Sequence, residues 1–309
     1  MRQEGNDPLI LDAGDLFFTT PDLHDSNRVS EKYRASVILM GYEQIGCDAI
    51  NVGRYELSAG LPFLLESQSS STIPFLSANI KDKQTDTLLF KSHIIIERGE
   101  LTVGVIGLTI LNLTKEINVK VDDHISLGNA VIEKIRDKVN IIVLLVNATK
   151  EFQKTLATDF PLVDVIYTSG HRLLTRPMMK QPEKSPYIYS TGREARYLNM
   201  TEIHINTLQD PIVNVSYLEE SKKYNQRKLD RFQDVDPRKP LEKIYEGQKS
   251  ILNLITKSKE QIKRSNAQLK NANNTLSVKL IPLDSGIEDD PEMFLYVNEA
   301  LDICNQLKN

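Results

Sequence analysis

Tryptophan is absent from this sequence, and cysteine occurs only twice in 309 residues, as Cys47 and Cys304. Two cysteines can build neither a disulfide framework nor a cysteine-based zinc cluster. No apolar run approaches the roughly 18 residues that a membrane helix requires. The first residues, MRQEGNDPLILDAGD, lack the basic-then-apolar order of a secretory leader, so none is expected in this chain. Any metal would have to be held by His, Asp, Asn or Glu.

The chain also has little net charge, but its charged residues are unevenly distributed. The net charge is −4, yet residues 219–270 contain 14 basic and 8 acidic residues, a balance of +6. The rest of the chain therefore carries −10. Lysines on helices are usually solvated, and these alternate with Glu242, Glu246 and Glu260. We therefore do not expect nucleic-acid binding.

Residues 8–217 alternate between short apolar runs and amphipathic stretches. The run at 141–146 is apolar throughout, which is typical of a parallel strand that is covered on both faces. Helices are predicted for NRVSEKYRASVILMGYEQIG and ISLGNAVIEKIRDK, and a hairpin for LLFKSHIIIE followed by LTVGVIGLT. The later segments YIYST, YLNMTEIHI and PIVNVSYL predict an antiparallel portion. This order predicts a layered α/β sandwich.

The remaining residues predict a helical extension. In residues 218–272 we expect an antiparallel helical pair, whose second helix starts at Leu241 and continues to Leu269 with a narrow, coiled-coil-like apolar seam. Polar residues weaken this seam at Gln248, Ser258 and Ser265. In residues 273–309, TLSVKLIPLD predicts a strand that returns to the main sheet or its neighbour, and a terminal helix follows. The helices of 219–270 are a candidate surface for self-association.

Polar groups follow four of the predicted strands. They are Asp15, the segment GRYE at 53–56, Asn147, and the segment GHR at 170–172. Taken singly, each has an ordinary structural explanation as a turn or helix-cap residue. Parallel sheets place chemistry beyond the carboxyl ends of their strands, so the four together indicate one candidate site.

Six segments follow one another in an informative order: LLDAGD, IGCDAINVGRYELSAG, IPFLSANI, VGVIGLT, IIVLLVN and YTSGHRL. In this order the sequence resembles the calcineurin-like metallophosphoesterases, specifically their 5′-nucleotidase branch. The resemblance covers residues 1–217 and implies a four-layer α-β-β-α sandwich. It also implies two divalent cations, bridged by an aspartate, that activate a hydroxide to attack a phosphate.

Only part of the family's ligand set is matched. Asp15 matches the bridging aspartate, and His171 matches the first His of the family's Gly-His-x-His motif. Arg54 and Tyr55 stand where the family has the metal-binding Asn and the catalytic His of Gly-Asn-His-Glu. Asn147 replaces a strand-end His, and Leu173 replaces the second His of Gly-His-x-His. The family's first strand, which carries an Asp-x-His pair, has no counterpart in the predicted domain at 1–217.

These replacements change the chemistry that the site supports. Arginine stays protonated and cannot ligate a metal, so we expect Arg54 to pair with Asp15. Tyr55 is interpreted as a packing residue, because a reference pKa of about 10 suits proton transfer poorly near neutral pH. One alternative is a single divalent metal, Mn or Zn, held by Asp15, His171 and Asn147. Another is metal-free phosphate binding.

For phosphate binding the candidate residues are Arg54 and Arg172, assisted by His171. We expect no cofactor, and a binding or scaffold module whose two-metal site is degenerate, in effect a pseudoenzyme. The alternative is a weak or remodelled metal-dependent phosphoesterase acting on nucleotides or related phosphoesters. The family resemblance implies a periplasmic location, whereas the sequence shows no leader, so the compartment stays open.

Overall fold

The computed structural model describes residues 6–110 and 118–308. The strands are β1 (Leu11–Asp12), β2 (Ala49–Asn51), β3 (Phe75–Leu76), β4 (Ile80–Asp82), β5 (His93–Arg98), β6 (Leu101–Thr109), β7 (Val119–Val121), β8 (Ile141–Asn147), β9 (Val165–Ser169), β10 (Tyr187–Tyr189), β11 (Tyr197–His204), β12 (Ile212–Asn214) and β13 (Asn274–Pro282). The helices are α1 (Arg28–Gln44), α2 (Leu61–Ser70), α3 (His124–Arg136), α4 (Leu156–Asp159), α5 (Val215–Gln233), α6 (Leu241–Ile244), α7 (Lys249–Lys270) and α8 (Pro291–Gln306). Short 3₁₀ turns occur at Tyr55–Leu57 and Lys150–Lys154.

The chain forms two compact units. The first contains the described residues of Met1–Leu174, Pro186–Tyr197 and Pro282–Asn309, and the second contains Thr175–Ser185 and Leu198–Ile281. The helical pair therefore shares a unit with β12 and with most of β11 and β13, whereas α8 belongs to the first unit. Among the helices of the described ranges, none is long and apolar enough to cross a membrane.

The first unit contains a five-stranded sheet in the order β10-β9-β8-β6-β5 and a three-stranded sheet in the order β1-β2-β3. The β5–β6 pair is antiparallel, which confirms the predicted hairpin, and β6, β8, β9 and β10 run parallel to one another. All seven residues of β8 are buried, as the apolar run predicted. In register, Asn147 lies opposite Thr109 on one side and Ser169 on the other, so these strands end at one edge.

Two apolar clusters hold the layers of this unit together. In one, α1 and α2 pack on the smaller sheet through residues such as Ala35, Leu64 and Phe75. In the other, α3 packs on the larger sheet through Ile132 and Ile135. Asn51 connects the strand segments by donating from Nδ2 to the carbonyl oxygens of Ala13 (2.9 Å) and Leu108 (3.1 Å). The unit is a layered α/β sandwich, as the sequence predicts.

In the second unit the predicted antiparallel portion needs correction. Of the two predicted locations of β13, the main sheet or its neighbour, the main sheet is wrong, because β13 lies between β11 and β12 in a separate three-stranded sheet. The β12–β13 pair is parallel, and so is the β9–β10 pair, contrary to the predicted antiparallel portion. The helices α5, α6 and α7 lie between β12 and β13 in sequence. A helical crossover of that kind suits parallel pairing.

The predicted long helix is interrupted soon after Leu241. Its first turn, α6, ends at Ile244, Gly247 adopts a left-handed φ of +79°, and α7 starts at Lys249. Tyr245 is positioned by the interruption, and its hydroxyl donates to the carbonyl oxygen of Phe232 (3.0 Å). The apolar faces of α5 and α7 pack on each other, with Leu229 and Ile255 buried between them. The apolar periodicity did not predict this break, because a single glycine leaves the helical spacing of the apolar residues unchanged.

Candidate functional site

A buried glutamate connects two of the strand-end loops. The side chain of Glu56 has no exposed surface, and its two oxygens accept four backbone N–H groups. Oε2 accepts from Gly53 (2.7 Å) and Asp15 (3.0 Å). Oε1 accepts from Leu16 (2.6 Å) and Phe17 (3.3 Å). Burial, followed by the charge of Asp15, raises the pKa of Glu56 to about 8. This side chain fixes the loop after β1 against the loop after β2.

Asp15 lies on the first of these loops with its carboxylate turned towards the second. Its backbone adopts a left-handed φ of +64°, a conformation that asparagine and aspartate tolerate better than most residues. Oδ1 accepts the backbone N–H of Tyr55 at 2.9 Å. Burial raises the pKa of Asp15, while this N–H, the side chain of Asn147 and the charge of Arg54 act in the opposite direction. Hydrogen-bond donors and the positive charge of Arg54 therefore partly compensate the negative charge of the Asp15 carboxylate.

Asn147 closes the site from the end of β8. The side chain is fully buried; its Oδ1 accepts the backbone N–H of Arg54 (3.1 Å) and its Nδ2 donates to Ser169 Oγ (2.8 Å). Space for this arrangement depends on Gly53. A Cβ at Gly53 would lie 2.7 Å from Asp15 Oδ1 and 2.8 Å from Asn147 Nδ2. The structure therefore brings Asp15, Asn147 and the 53–56 loop together, as the order of strand ends predicted.

The predicted ion pair between Arg54 and Asp15 does not form. Among the described residues, the guanidinium of Arg54 makes no ion pair, and Nη2 donates instead to the hydroxyl of Tyr55 (2.7 Å). The guanidinium carbon lies 4.6 Å from the centre of the Tyr55 ring, a cation–π contact. The 3₁₀ turn at Tyr55–Leu57 places the side chains of Arg54 and Tyr55 next to each other, so Arg54 contacts Tyr55 and does not pair with Asp15. Arg54 still influences Asp15 through its charge.

The ring of Tyr55 packs against the cluster that includes Phe17, Phe18 and Leu57. Its hydroxyl accepts from Arg54, and its backbone N–H donates to Asp15. Tyr55 therefore acts as a packing residue and a support for Arg54.

His171 uses both ring nitrogens within its own part of the structure. Nδ1 accepts the backbone N–H of Leu173 at 3.1 Å, while Nε2 lies 2.7 Å from Gln153 Nε2 and 3.1 Å from Thr168 Oγ1. Burial lowers the pKa of His171. No hydrogen bond or ion pair joins His171 to Asp15 or to Asn147 in the described ranges. The neighbouring Arg172 is exposed and makes no hydrogen bond or ion pair with another described residue.

The described residues do not fit a pair of divalent cations. Within 6–110 and 118–308, no three His, Cys, Asp or Glu side chains converge in a way that could hold a metal ion. Asp15 and Asn147 are in contact, but an oxygen of each already accepts a backbone N–H, and the adjacent Arg54 has no lone pair to donate. We therefore assign no step of a reaction to a metal.

Glu56 is the residue whose importance the sequence analysis missed. The signal was available, since a charged residue follows an apolar strand and a glycine at 53–56. A second carboxylate, Asp12, receives hydrogen bonds from Tyr42 Oη (2.9 Å) and the Gly14 N–H (2.8 Å), and its pKa is raised by burial. The sequence showed that these carboxyl groups follow apolar strands, but it did not show that backbone N–H groups and Tyr42 are their partners.

Comparisons with known proteins give a consistent relationship. No family model matches the chain. The protein UshA of Salmonella pullorum is 34% identical over 129 residues, which are 42% of this chain and 20% of that protein. A 5′-nucleotidase of Vibrio parahaemolyticus is 32% identical over 109 residues, 35% of this chain and 18% of that protein. These matches therefore span about a fifth of the length of the curated relatives.

Solved structures show the same fold. A putative 5′-nucleotidase from Staphylococcus aureus has a TM-score of 0.61 at 15% identity, covering 95% of this chain and 49% of that one. The calcineurin-like phosphoesterase YfkN from Bacillus subtilis has a TM-score of 0.54 at 17% identity, covering 75% of this chain and 87% of that one. Over 109–129 residues the chain is thus similar in sequence to UshA and to a 5′-nucleotidase, and its fold is that of a solved putative 5′-nucleotidase and of a calcineurin-like phosphoesterase.

Proposed function

We propose that this chain is a phosphoesterase-like binding module that holds a phosphate-type anion at Arg54 and does not carry out two-metal hydrolysis. The observation that carries the proposal is Arg54, which acts through its charge on Asp15 and stands where the family resemblance implies a metal ligand. In this proposal residues 1–217 provide the site, and residues 218–272 and 273–309 form the helical pair, the returning strand and the terminal helix.

The hydrogen-bonding state of Arg54 supports anion binding. Its Nε–H is buried and has no hydrogen-bond partner, while Nη2 is occupied by Tyr55. Leaving a buried donor unpaired costs about 1–3 kcal/mol. A bound phosphate would remove that cost if the guanidinium turned towards it on binding. A guanidinium is also well matched to phosphate, because its N–H groups form a planar fork. Arg172 is exposed and is available to contact the outer part of a ligand.

The same site is poorly suited to metal-dependent hydrolysis. Two-metal catalysis needs several anionic or imidazole ligands around cations about 3.5–4 Å apart. The fixed positive charge of Arg54 opposes a cation next to Asp15. His171 has both ring nitrogens engaged elsewhere. These features support a site that is degenerate with respect to its family.

The test combines ligand binding with hydrolysis assays on the purified full chain. Titration calorimetry with inorganic phosphate and with 5′-AMP, in the presence of a chelator, should show binding that Arg54→Gln weakens at least tenfold. Arg227→Gln, at an exposed arginine of α5, is the matched control and should leave binding unchanged. No turnover of 5′-AMP or bis(p-nitrophenyl) phosphate is expected with added Mn²⁺ or Zn²⁺.

Metal-dependent activity would contradict the proposal. Stoichiometric metal in the purified protein, together with turnover that Asp15→Asn abolishes, would establish an active phosphoesterase. Asparagine is the appropriate replacement because it tolerates the left-handed backbone of this position and keeps an acceptor for the Tyr55 N–H.

One observation favours that second candidate, a weak or remodelled metal-dependent phosphoesterase acting on nucleotides or related phosphoesters. Asp15 and Asn147 meet at one edge of the sandwich, and each has further lone pairs beyond those used by the backbone. A single Mn²⁺ or Zn²⁺ ion would draw on these oxygens, with His171 reaching them only if its ring left Gln153 and Leu173. Metal titration of wild type and Asn147→Asp distinguishes this candidate. Aspartate keeps the acceptor for the Arg54 N–H, and its added negative charge should tighten Mn²⁺ binding only if this position ligates a metal.

A scaffold role through residues 219–270 is a further part of the proposal. The apolar faces of α5 and α7 are used within one chain, so association between copies would rely on exposed groups such as Tyr224 (56% exposed) and Leu254 (41% exposed). Light scattering coupled to size-exclusion chromatography should then show an oligomer that Tyr224→Glu and Leu254→Glu dissociate. Asn253→Glu, at an exposed position of α7, is the control. A monomeric wild type would contradict self-association.

A further inference from the structure

The strand β5 forms one edge of the five-stranded sheet, and its sequence does little to block pairing with a further strand. The opposite edge, β10, has only three residues, whereas β5 has six, and its register with β6 is continuous. The centre of β5 is three isoleucines, and the strand contains neither proline nor lysine. Natural edge strands are usually very short, or carry lysine, proline or a bulge, because exposed backbone groups pair readily with another strand.

The turn of the hairpin shows which backbone groups of β5 point away from β6. Arg98 and Leu101 flank the two-residue turn Gly99–Glu100 and lie directly opposite each other. In such a hairpin the flanking pair exchanges backbone hydrogen bonds, and every second pair along the strand does the same. Ile96 and Ile94 therefore bond to β6. The alternate residues, whose N–H and C=O groups point outwards, are His93, Ile95 and Glu97.

These outward groups are open. The N–H of Gly107 on β6 donates to the C=O of Ser92 (3.4 Å), which agrees with the alternation. Within the described ranges, no backbone group pairs with the outward N–H and C=O groups of β5. The C=O of Glu97 accepts Nη1 of Arg98 (3.0 Å) and keeps a second lone pair. Ile95, at the centre of the strand, is 43% exposed.

The side chains of the outward residues share the face of the sheet that α3 covers. Gly104 lies directly opposite Ile95, and a Cβ at Gly104 would lie 2.7 Å from Cδ1 of Ile135 on α3. Directly opposite residues point to the same face, so Ile95 lies on the α3 side. Because side chains alternate along a strand, His93 and Glu97 lie on that side too.

The charge on this face changes sign along β5. At one end burial, followed by the charges of Lys134 and Lys138 on α3, lowers the pKa of His93, so two cations are close to this ring. At the other end Glu97 is exposed and forms no ion pair with a described residue. One end of the strand is therefore cationic and the other anionic.

We infer that β5 pairs antiparallel with β5 of a second copy of this chain, about a twofold axis at Ile95. This register places Ile95 opposite its own copy, Ile94 opposite Ile96, and His93 opposite Glu97. By symmetry each cationic end then meets an anionic end, and like charges do not face each other. The outward N–H groups of each copy meet the outward C=O groups of the other.

This self-complementarity in hydrogen bonding, apolar contact and charge favours a second copy as the occupant of the edge. The inference goes beyond the proposed function. It uses neither Arg54 nor the helices of 219–270.

Sedimentation equilibrium on the full chain tests the pairing. Wild type should show a monomer–dimer equilibrium, which Ile95→Lys should weaken at least tenfold, because an edge lysine opposes strand pairing. Ile95→Pro should act likewise, since it removes an outward N–H and no bond to β6. Leu162→Lys, at an apolar residue of similar exposure (47%), is the matched control and should leave the dimer unchanged.

Charge reversal tests the register. Glu97→Lys should weaken the dimer at least tenfold, because like charges then lie opposite each other. Adding Lys134→Glu and Lys138→Glu to this variant should restore most of the lost affinity. A triple variant as weak as Glu97→Lys alone would overturn the antiparallel register.

A cysteine at the axis gives a direct measure of proximity. Opposite residues that exchange hydrogen bonds have Cα atoms about 5.5 Å apart, which a disulfide can span. The native Cys47 and Cys304 are buried. Air oxidation should therefore link Ile95→Cys into a dimer and should leave Leu162→Cys unlinked.

Circular dichroism shows whether each variant is folded. A wild type that is monomeric at every concentration would overturn the inference, and so would a dimer that folded Ile95→Lys leaves intact. The helix variants Tyr224→Glu and Leu254→Glu should not affect the β5 dimer. A dimer that only these helix variants dissociate would contradict pairing through β5 and support the helical surface.

Discussion

Replacing Glu56 by glutamine tests whether this residue fixes the two strand-end loops. Each oxygen of Glu56 accepts two backbone N–H groups, at distances from 2.6 to 3.3 Å. Glutamine has nearly the same shape but only one oxygen, so its NH₂ group must face one pair of donors. Two buried N–H groups then lose their acceptor at about 1–3 kcal/mol each. We expect the free energy of unfolding to fall by about 2–5 kcal/mol.

Urea unfolding followed by far-UV circular dichroism measures this change, since the chain has no tryptophan for fluorescence. The matched control is Glu66→Gln at an exposed position of α2, which should change stability by less than about 0.5 kcal/mol. If Glu56→Gln also lost less than about 0.5 kcal/mol, the reasoning would be refuted. Such a result would mean that the four backbone N–H groups do not need both oxygens of the carboxyl group.

The pH dependence gives a second check with a defined sign. Burial raises the pKa of Glu56 from 4.5 to about 8, so the folded state binds this proton more tightly than the unfolded state does. The stabilising contribution is therefore fully present below pH 4.5 and is lost as the pH rises through about 8. Wild type should lose stability relative to Glu56→Gln across that interval. The opposite trend would show that the four amide donors outweigh burial.

Three further predictions concern separate parts of the chain. Gly53→Ala places a methyl group within 2.8 Å of Asp15 and Asn147 atoms and should cost about 1–3 kcal/mol in urea unfolding, which an unchanged midpoint would contradict. Asn274→Leu removes four hydrogen bonds to the 206–210 turn and should cost about 2–4 kcal/mol in the same assay, a loss below about 0.5 kcal/mol being the contrary result. Burial lowers the pKa of His93, so its ring should titrate by NMR below 6.5, and its contribution to stability should be lost as the pH falls through that midpoint.

Local sequence patterns predicted much of the fold. The alternation of apolar runs predicted the hairpin of β5 and β6 and the buried strand β8, because burial on both faces demands apolar residues at every position. The order of strand ends also predicted that Asp15, Asn147 and the 53–56 loop meet. Parallel strands deliver their carboxyl ends to one edge, so this convergence follows from topology.

Features that depend on competition between contacts were not predictable in the same way. Arg54 had two partners of suitable chemistry, Asp15 and Tyr55, and the choice depended on the geometry of the 3₁₀ turn. The interruption before α7 depended on Tyr245 finding a partner on α5 and on Gly247 adopting a left-handed backbone. Neither contact leaves a periodic signal in the sequence.

The sequence by itself determined the class of fold, the strand-end positions at which chemistry would be found, and the chemical types available there. Arginine at position 54 is incompatible with metal ligation in any tertiary context, because a guanidinium has no lone pair to donate. Tertiary structure alone decided which polar groups satisfy one another. Only the folded structure showed that Glu56 holds the loops, that His171 turns to Gln153 and Leu173, and that β5 lies at an edge of its sheet. Hydrogen bonds and strand order are set by distances between segments remote in the chain, and those distances exist only after folding.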